Sequence, residues 1–302
     1  MRAGLLGIEP LDRSEIEAIL ERAKAFQPAL NQPFAKLDTL RGKMIVNLFF
    51  EASTRTRTSF EIAAKRLGAD AISITAAGSS LAKGESLVDT LNTLAAMRPD
   101  AIVMRHSASG APHFLARHLP IPIINAGDGT HEHPTQALLD ARTILDHRPT
   151  LEGLRVAIIG DIVHSRVARS NIFLLSKFNA EIVLCGPASL VPPELARIAP
   201  GVTITYDMRE AIRGADVIMM LRVQLERQQE AAFPPDEYFQ FYGLRLEHLE
   251  LAKPDAIVMH PGPINRGREI SSEVADSQRS VILNQVENGV AVRMAVLERI
   301  LG

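Results

Sequence analysis

Short apolar runs alternate with helical patterns through almost the whole chain, and this alternation constrains the fold more than any other feature. Strand candidates lie at 44–50, 71–75, 101–104 and 121–125. A second series follows at 154–159, 181–185, 202–206, 216–221 and 256–260. Helical segments such as 85–97, 135–147 and 164–178 fill the gaps. Strands alternating with helices argue for parallel sheets covered on both faces, with right-handed crossovers. Two series in 302 residues, with 46% hydrophobic content, point to two doubly wound α/β domains. The expected division is 1–134 plus 286–302 for the first domain and 135–285 for the second. Helix 135–145 would join them. The last helix, 286–301, could pack on either domain and is assigned to the first. An amphipathic helix over 12–26 carries Ile16, Ile19, Leu20 and Ala23 on one face.

The net charge of −2 gives no general affinity for nucleic acid or an anionic membrane. Any anion site must come from a local cluster. No run reaches the ~18 apolar residues of a membrane span. The first residues lack a secretory pattern, so a cytoplasmic protein is expected. The single cysteine, Cys185, lies in an apolar run and reads as a small core residue.

In open parallel sheets, ligands bind beyond the carboxyl ends of the strands. The residues there are unusually rich in cations and hydrogen-bonding groups. Run 44–50 leads to Ser53-Thr54-Arg55-Thr56-Arg57, ahead of a helix candidate over 58–67 that Gly68 can stop. Hydroxyls are ordinary at a helix start, but arginines there oppose the helix dipole. The arrangement makes sense if an anion accepts hydrogen bonds from amides, hydroxyls and guanidinium groups. Run 71–75 leads to a small Lys-bearing loop containing Ser80 and Lys83. Run 101–104 leads to Arg105 and His106, and 121–125 leads to Gly127 through Gln136, including His133. In the second series, Asp161, His164 and Arg166 follow one strand, Arg222 and Gln224 another, and Gly262 and Pro263 a third. A cleft between the domains lined this way would suit small polyanions.

Each of these residues has an ordinary alternative. Arg105 could be a surface arginine paired with Glu51, and Lys83 simply solvated. Pro134 can open helix 135–147, which would make His133 a structural cap residue. Arg57 could pair with acidic groups. His131 and His133 match a metal-ligand spacing if the segment is extended. No cysteine or carboxylate motif completes a set, so no metal is expected. The turn Gly160-Asp161-Ile162-Val163-His164 lacks the three-glycine dinucleotide fingerprint, so no cofactor is expected. Residues 224–235 are polar and end in Pro-Pro, which suggests a mobile loop.

Ser53-Thr54-Arg55-Thr56-Arg57 resembles the phosphate signature of the transcarbamoylases, and His133-Pro134-Thr135-Gln136 resembles their second carbamoyl-phosphate motif. Arg222-Val223-Gln224, Glu226-Arg227 and His260-Pro261-Gly262-Pro263 are similar to the aspartate branch. The His-Pro-Cys-Gln, Ser-Met-Gly and His-Cys-Leu-Pro motifs of the ornithine branch do not occur. The resemblance runs from the first helix to the last. It implies carbamoyl transfer from carbamoyl phosphate to L-aspartate. It implies that Ser53, Thr54, Arg55, Thr56 and Arg105 hold carbamoyl phosphate, with Arg55 on the leaving phosphate. Thr56, Arg105 and His133 would polarise the carbonyl. Gln136 and the backbone at Gly262 and Pro263 would orient the amino group. Arg166, Arg222 and Gln224 would bind aspartate. Ser80 and Lys83 would enter a neighbouring subunit's site, which implies a homotrimer. Some members associate with regulatory chains or dihydroorotase. Many members carry leucine where Gly262 stands, which leaves that loop's stiffness open.

Overall fold

The computed structural model describes residues 4–30, 32, 36–75, 87–223 and 235–302. The chain forms two compact units, Met1–Leu139 with Val286–Gly302, and Asp140–Gln285. Both are parallel sheets with helices between the strands, as the alternation requires.

The first unit contains α1 (Arg13–Leu30), β1 (Met44–Phe49), α2 (Thr54–Arg66), β2 (Asp70–Thr75), α3 (Leu87–Ala96), β3 (Ala101–His106), α4 (Ala111–His118) and β4 (Ile123–Asp128). Its strand order is β2-β1-β3-β4, all parallel. The second unit contains β5 (Arg155–Ile159), α6 (Arg166–Ser176), β6 (Glu181–Cys185), a short 3-10 turn at Pro193–Arg197 and β7 (Val202–Thr205). It continues with α7 (Met208–Ile212), β8 (Val217–Met220), α8 (Pro235–Tyr242), α9 (Leu246–Leu249), β9 (Ile257–Met259) and α10 (Ser272–Ala275). Its order is β7-β6-β5-β8-β9, again parallel. Helices α5 (Pro134–His147) and α11 (Ile282–Leu301) each run from one unit into the other along the chain.

The strands are short and apolar because both faces are covered. Ile45, Leu48, Ile102, Val103 and Met104 are buried in the first sheet, and Val156, Ala157, Ile158, Ile218 and Met219 in the second. The α11 residues of the first unit join α1 and α2. Gln27 Nε2 donates to Asn288 Oδ1 at 2.7 Å, and Arg293 Nη1 donates to Ser59 Oγ at 2.9 Å. Arg22 pairs with Glu298, and Arg299 with Glu15.

Several boundaries differ from the sequence reading. Helix α2 starts at Thr54 rather than 58, because the Ser53 carbonyl already accepts the Arg57 amide at 3.2 Å. Thr54 to Arg57 therefore form the first helical turn, with Ser53 as its cap. Strand β3 extends through His106, which pairs with Asp128 past a register shift. Strand β4 starts at Ile123, since Pro122 has no amide to give a ladder. The loop bearing Ser80 and Lys83, and the polar segment from Gln224 to Pro234, lie outside the described residues. Among the described residues, no helix is long and apolar enough to cross a membrane.

Cys185 is fully buried at the end of β6. Burial, reinforced by the Asp207 and Glu210 charges, pushes its thiol pKa up to about 12. A thiol held neutral and covered does not react. A thiol reagent is therefore expected to leave the native protein unlabelled and to take up one equivalent only on unfolding. Rapid labelling under native conditions would contradict this placement.

Candidate active site

In each sheet the chain order reverses once. The reversal lies between β1 and β3 in the first unit and between β5 and β8 in the second. Such switch points open a crevice at the carboxyl ends of the two strands, because their connections leave toward opposite faces. Of the residues the sequence singled out, Ser53 to Thr56 follow β1, Arg105 lies at the end of β3, Arg166 follows β5 and Arg222 follows β8, while His133 and Gln136 follow β4 and Gly262 and Pro263 follow β9.

At the first switch point, Phe49 lies in register with Arg105, and the Phe50 amide donates to the Arg105 carbonyl at 2.9 Å. Ser53 caps α2 in an extended conformation but makes no side-chain capping bond. The first-turn amides of a helix have no intrahelical acceptor, so they point outward with a partial positive charge. Thr54 and Arg55 are exposed there and Thr56 is buried. No acidic residue stands in that turn to offset the cations. Arg105 donates through Nη1 to the Ala126 carbonyl at 3.2 Å and pairs through Nε with Glu51 at 3.5 Å. The pairing raised as the alternative role for Arg105 is therefore present. It fixes the guanidinium at the end of β3, against the residues that lead into α2.

His133 and Gln136 are both buried at the start of α5, where the His133 carbonyl accepts the Gln136 amide at 2.9 Å. Pro134 is the first helical residue, as its missing amide allows. The loop ahead of them is held from within. Glu132 accepts the Ile8 amide at 2.8 Å. Asp128, fully buried, accepts Asn125 Nδ2 (2.8 Å) and the Glu132 amide (3.1 Å) on Oδ1, and the Gly110 amide (2.6 Å) on Oδ2. His131 Nδ1 faces that same Oδ2 at 3.0 Å.

The chain turns between Asp128 and His131, and Glu132, between the two histidines, bridges back to Asp128. His131 joins His113 and Asp128, with one candidate ligand atom from each within 4.8 Å of the others. Asp128, through its bonds to Asn125, Gly110 and Glu132, braces the loop that carries His133. His106, next to Arg105, has its pKa lowered by burial, with Glu51 and Asp128 acting in the opposite direction. Its Nδ1 accepts the Ala108 amide at 2.8 Å, which also favours the neutral ring.

At the second switch point, Gly160 follows β5 with φ +138°, and a Cβ there would meet the Leu221 carbonyl oxygen at 2.9 Å. Only glycine fits comfortably where the ends of β5 and β8 approach this closely. Asp161, fully buried, accepts the His164 amide (3.3 Å) and faces His164 Nδ1 (2.8 Å). Ser165 Oγ accepts the Ala168 amide at 3.1 Å, which caps α6. That cap sets Arg166 as the first helical residue, 4% exposed. Arg222 is half-buried two residues past β8. After β9, Gly262 adopts φ +67°, and Pro263 is exposed. A left-handed φ favours glycine over leucine, which accounts for glycine at this place in the loop. Gln224, Ser80 and Lys83 lie outside the described residues.

Two family models cover nearly the whole chain. The aspartate/ornithine carbamoyltransferase carbamoyl-P binding domain matches residues 4–146, and the corresponding Asp/Orn binding domain matches residues 152–300. The chain belongs to the aspartate/ornithine carbamoyltransferase family. Within that family, it is 82% identical to the aspartate carbamoyltransferase catalytic subunit of Solibacter usitatus, over 100% of both chains. It is 57% identical to that of Syntrophotalea carbinolica, over 99% of this chain and 95% of the relative. The aspartate transcarbamoylase of Trypanosoma cruzi in complex with N-(phosphonacetyl)-L-aspartic acid superposes with a TM-score of 0.90 at 34% identity, covering 100% of this chain and 96% of that one. Ornithine carbamoyltransferase from Pyrococcus furiosus matches with a TM-score of 0.88 at 31% identity, over 100% of this chain and 97% of the other. The backbone is common to both branches, so side chains must set the acceptor.

Further contacts support these strand ends. The Asp161–His164 pair precedes Arg166. A buried chain of hydrogen bonds runs from α6 toward the Gly262 loop. Asn171 Nδ2 donates to Asp140 Oδ2 (2.8 Å), Gln285 Nε2 to Asp140 Oδ1 (2.7 Å), and the His260 amide to Gln285 Oε1 (2.9 Å). His260 then meets Glu269. These partners are far apart in sequence, so no motif spacing reveals them.

Proposed function

We propose that the strand-end residues of the two units divide one reaction between them. That reaction is transfer of the carbamoyl group of carbamoyl phosphate to the amine of L-aspartate, which gives N-carbamoyl-L-aspartate and phosphate. The observation that carries the residue assignment is the matched placement at both switch points. Ser53 to Thr56 and Arg105 stand at the β1/β3 ends, and Arg166 and Arg222 at the β5/β8 ends. The Trypanosoma cruzi relative has been crystallised with carbamoyl phosphate and aspartate, and with carbamoyl aspartate and phosphate.

Ser53, Thr54, Arg55 and Thr56 bind the phosphate at the α2 N-terminus, where amides, hydroxyls and a guanidinium converge on an anion. Thr56, Arg105 and His133 donate to the carbonyl oxygen, which gains negative charge as the amine attacks. Fixed donors at such an oxygen contribute about 3–4 kcal/mol each by the oxyanion-hole precedent. Gln136 and the carbonyls at Gly262 and Pro263 orient the carbamoyl amino group. Arg166, Arg222 and Gln224 hold the two aspartate carboxylates. A carbon–nitrogen bond forms as the carbon–oxygen bond to phosphate breaks, and Arg55 stabilises the departing dianion. That phosphate is itself the base that takes the amine proton. No covalent intermediate on the protein is needed.

The bisubstrate compound N-(phosphonacetyl)-L-aspartate tests this division. It carries a phosphonate for the α2 turn and two carboxylates for Arg166 and Arg222. Calorimetry is expected to show its affinity falling sharply in both Arg55→Ala and Arg166→Ala. Loss in only one variant would assign the compound to one unit alone.

The family resemblance further supports a homotrimer in the cytoplasm, with Ser80 and Lys83 supplied to the neighbour's site. The expected solution mass is three times the 33.0 kDa chain. Mixing Arg55→Ala and Lys83→Ala subunits after dissociation should restore activity well above either parent, since some sites then combine two intact halves. Mixtures no more active than the parents would rule out shared sites.

A further inference from the structure

Between β9 and α10, the carbonyl-bearing turn at Gly262 and Pro263 is held by two buried side chains that no sequence motif joins. His260 is 1% exposed and Glu269 0%. His260 Nδ1 accepts the Gly262 amide at 2.8 Å. An imidazole nitrogen that accepts an amide carries no proton, so the ring proton must sit on Nε2. Nε2 lies 3.2 Å from Glu269 Oε1, which takes that proton as a hydrogen bond. The same Oε1 accepts the Asn265 amide at 2.6 Å. The backbone amide of His260 is itself anchored to Gln285 at 2.9 Å.

We propose that His260 and Glu269 are positioning residues for carbamoyl phosphate. Glu269 locks His260 in the tautomer with its proton on Nε2, which leaves Nδ1 to hold the Gly262 amide and so aim the Gly262 and Pro263 carbonyls. Glu269 also ties the far side of the turn through Asn265. The inference rests on the role given above to those two carbonyls. The arrangement is short and local at one end, from residue 260 to 262, and tertiary at the other. A side-chain acceptor bonded to the amide two residues on is the geometry of an Asx turn, which asparagine makes with its own Oδ1. Here the imidazole adds a second handle, through which the core reads out on the loop.

The two ring nitrogens can be separated by substitution. His260→Asn keeps an acceptor where Nδ1 stood but cannot reach Glu269. His260→Gln reaches toward Glu269 but moves its polar group away from the Gly262 amide. Each variant is compared with wild type for the KM of carbamoyl phosphate, kcat and melting temperature. His260→Asn is expected to hold the KM within about threefold, while His260→Gln raises it about tenfold or more, with a smaller change in kcat. A purely structural role would instead lower melting temperature and activity together in both. Neutron diffraction of the wild-type protein locates the ring proton without any variant, and the expected site is Nε2. A proton on Nδ1 would overturn the proposal through its geometry. A proton on Nε2 with an unchanged KM in both variants would overturn it through the role of the carbonyls.

Discussion

Replacing Arg55 by alanine is expected to lower kcat about 10²–10³-fold while leaving the melting temperature unchanged or slightly raised. The catalytic part follows from charge. As the carbon–oxygen bond breaks, the phosphate gains negative charge, and a guanidinium beside it stabilises the transition state more than the bound substrate. The loss therefore falls on kcat rather than on KM alone. The stability part follows from position. Arg55 is exposed in the first turn of α2, which contains no acidic residue. A cation there opposes the helix dipole, by about 0.3–1 kcal/mol at an exposed site. Removing it takes away that repulsion in the free protein. The combination distinguishes function from folding, because a structural arginine would lose activity and melting temperature together. Arg55→Lys keeps a charge but not the planar fork, and should recover only part of the rate.

Arg166→Ala is expected to raise the KM for aspartate by about 10²-fold or more, with the KM for carbamoyl phosphate little changed. Arg166 is 4% exposed and is placed by the Ser165 cap of α6. A desolvated guanidinium facing a carboxylate forms strong, directional bonds, and truncating it leaves the ligand's charge without its partner. The carbamoyl-phosphate residues Ser53 to Thr56, Arg105 and His133 belong to the other unit, so their ligand should be nearly indifferent. Steady-state kinetics with each substrate varied in turn measures the split. Equal increases in both constants would remove Arg166 from the aspartate set.

Much of this was legible because the sheet is parallel. Mostly apolar runs such as 154–159 and 181–185 stand out, and the chemistry collects just past them. The run Ser53 to Arg57 was legible as a helix start, but the first helical residue lies at Thr54 rather than 58, because Ser53 already serves as the backbone cap. Helices as short as α9 and α10 show no periodicity at four residues each. The roles of His131 and Glu132 were hidden for a different reason. His131 faces Asp128 and Glu132 accepts the Ile8 amide, partners that no spacing in the sequence reveals. His260 stood in a recognisable run, but Glu269 gained its meaning only when the fold brought its carboxylate to the ring.

The most direct test of the central claim is phosphate release from carbamoyl phosphate by the purified protein, with L-aspartate, L-ornithine or no acceptor added. The account predicts release that depends on aspartate, with stoichiometric N-carbamoyl-L-aspartate and little response to ornithine. Release that follows ornithine, or that is indifferent to either acceptor, would contradict it.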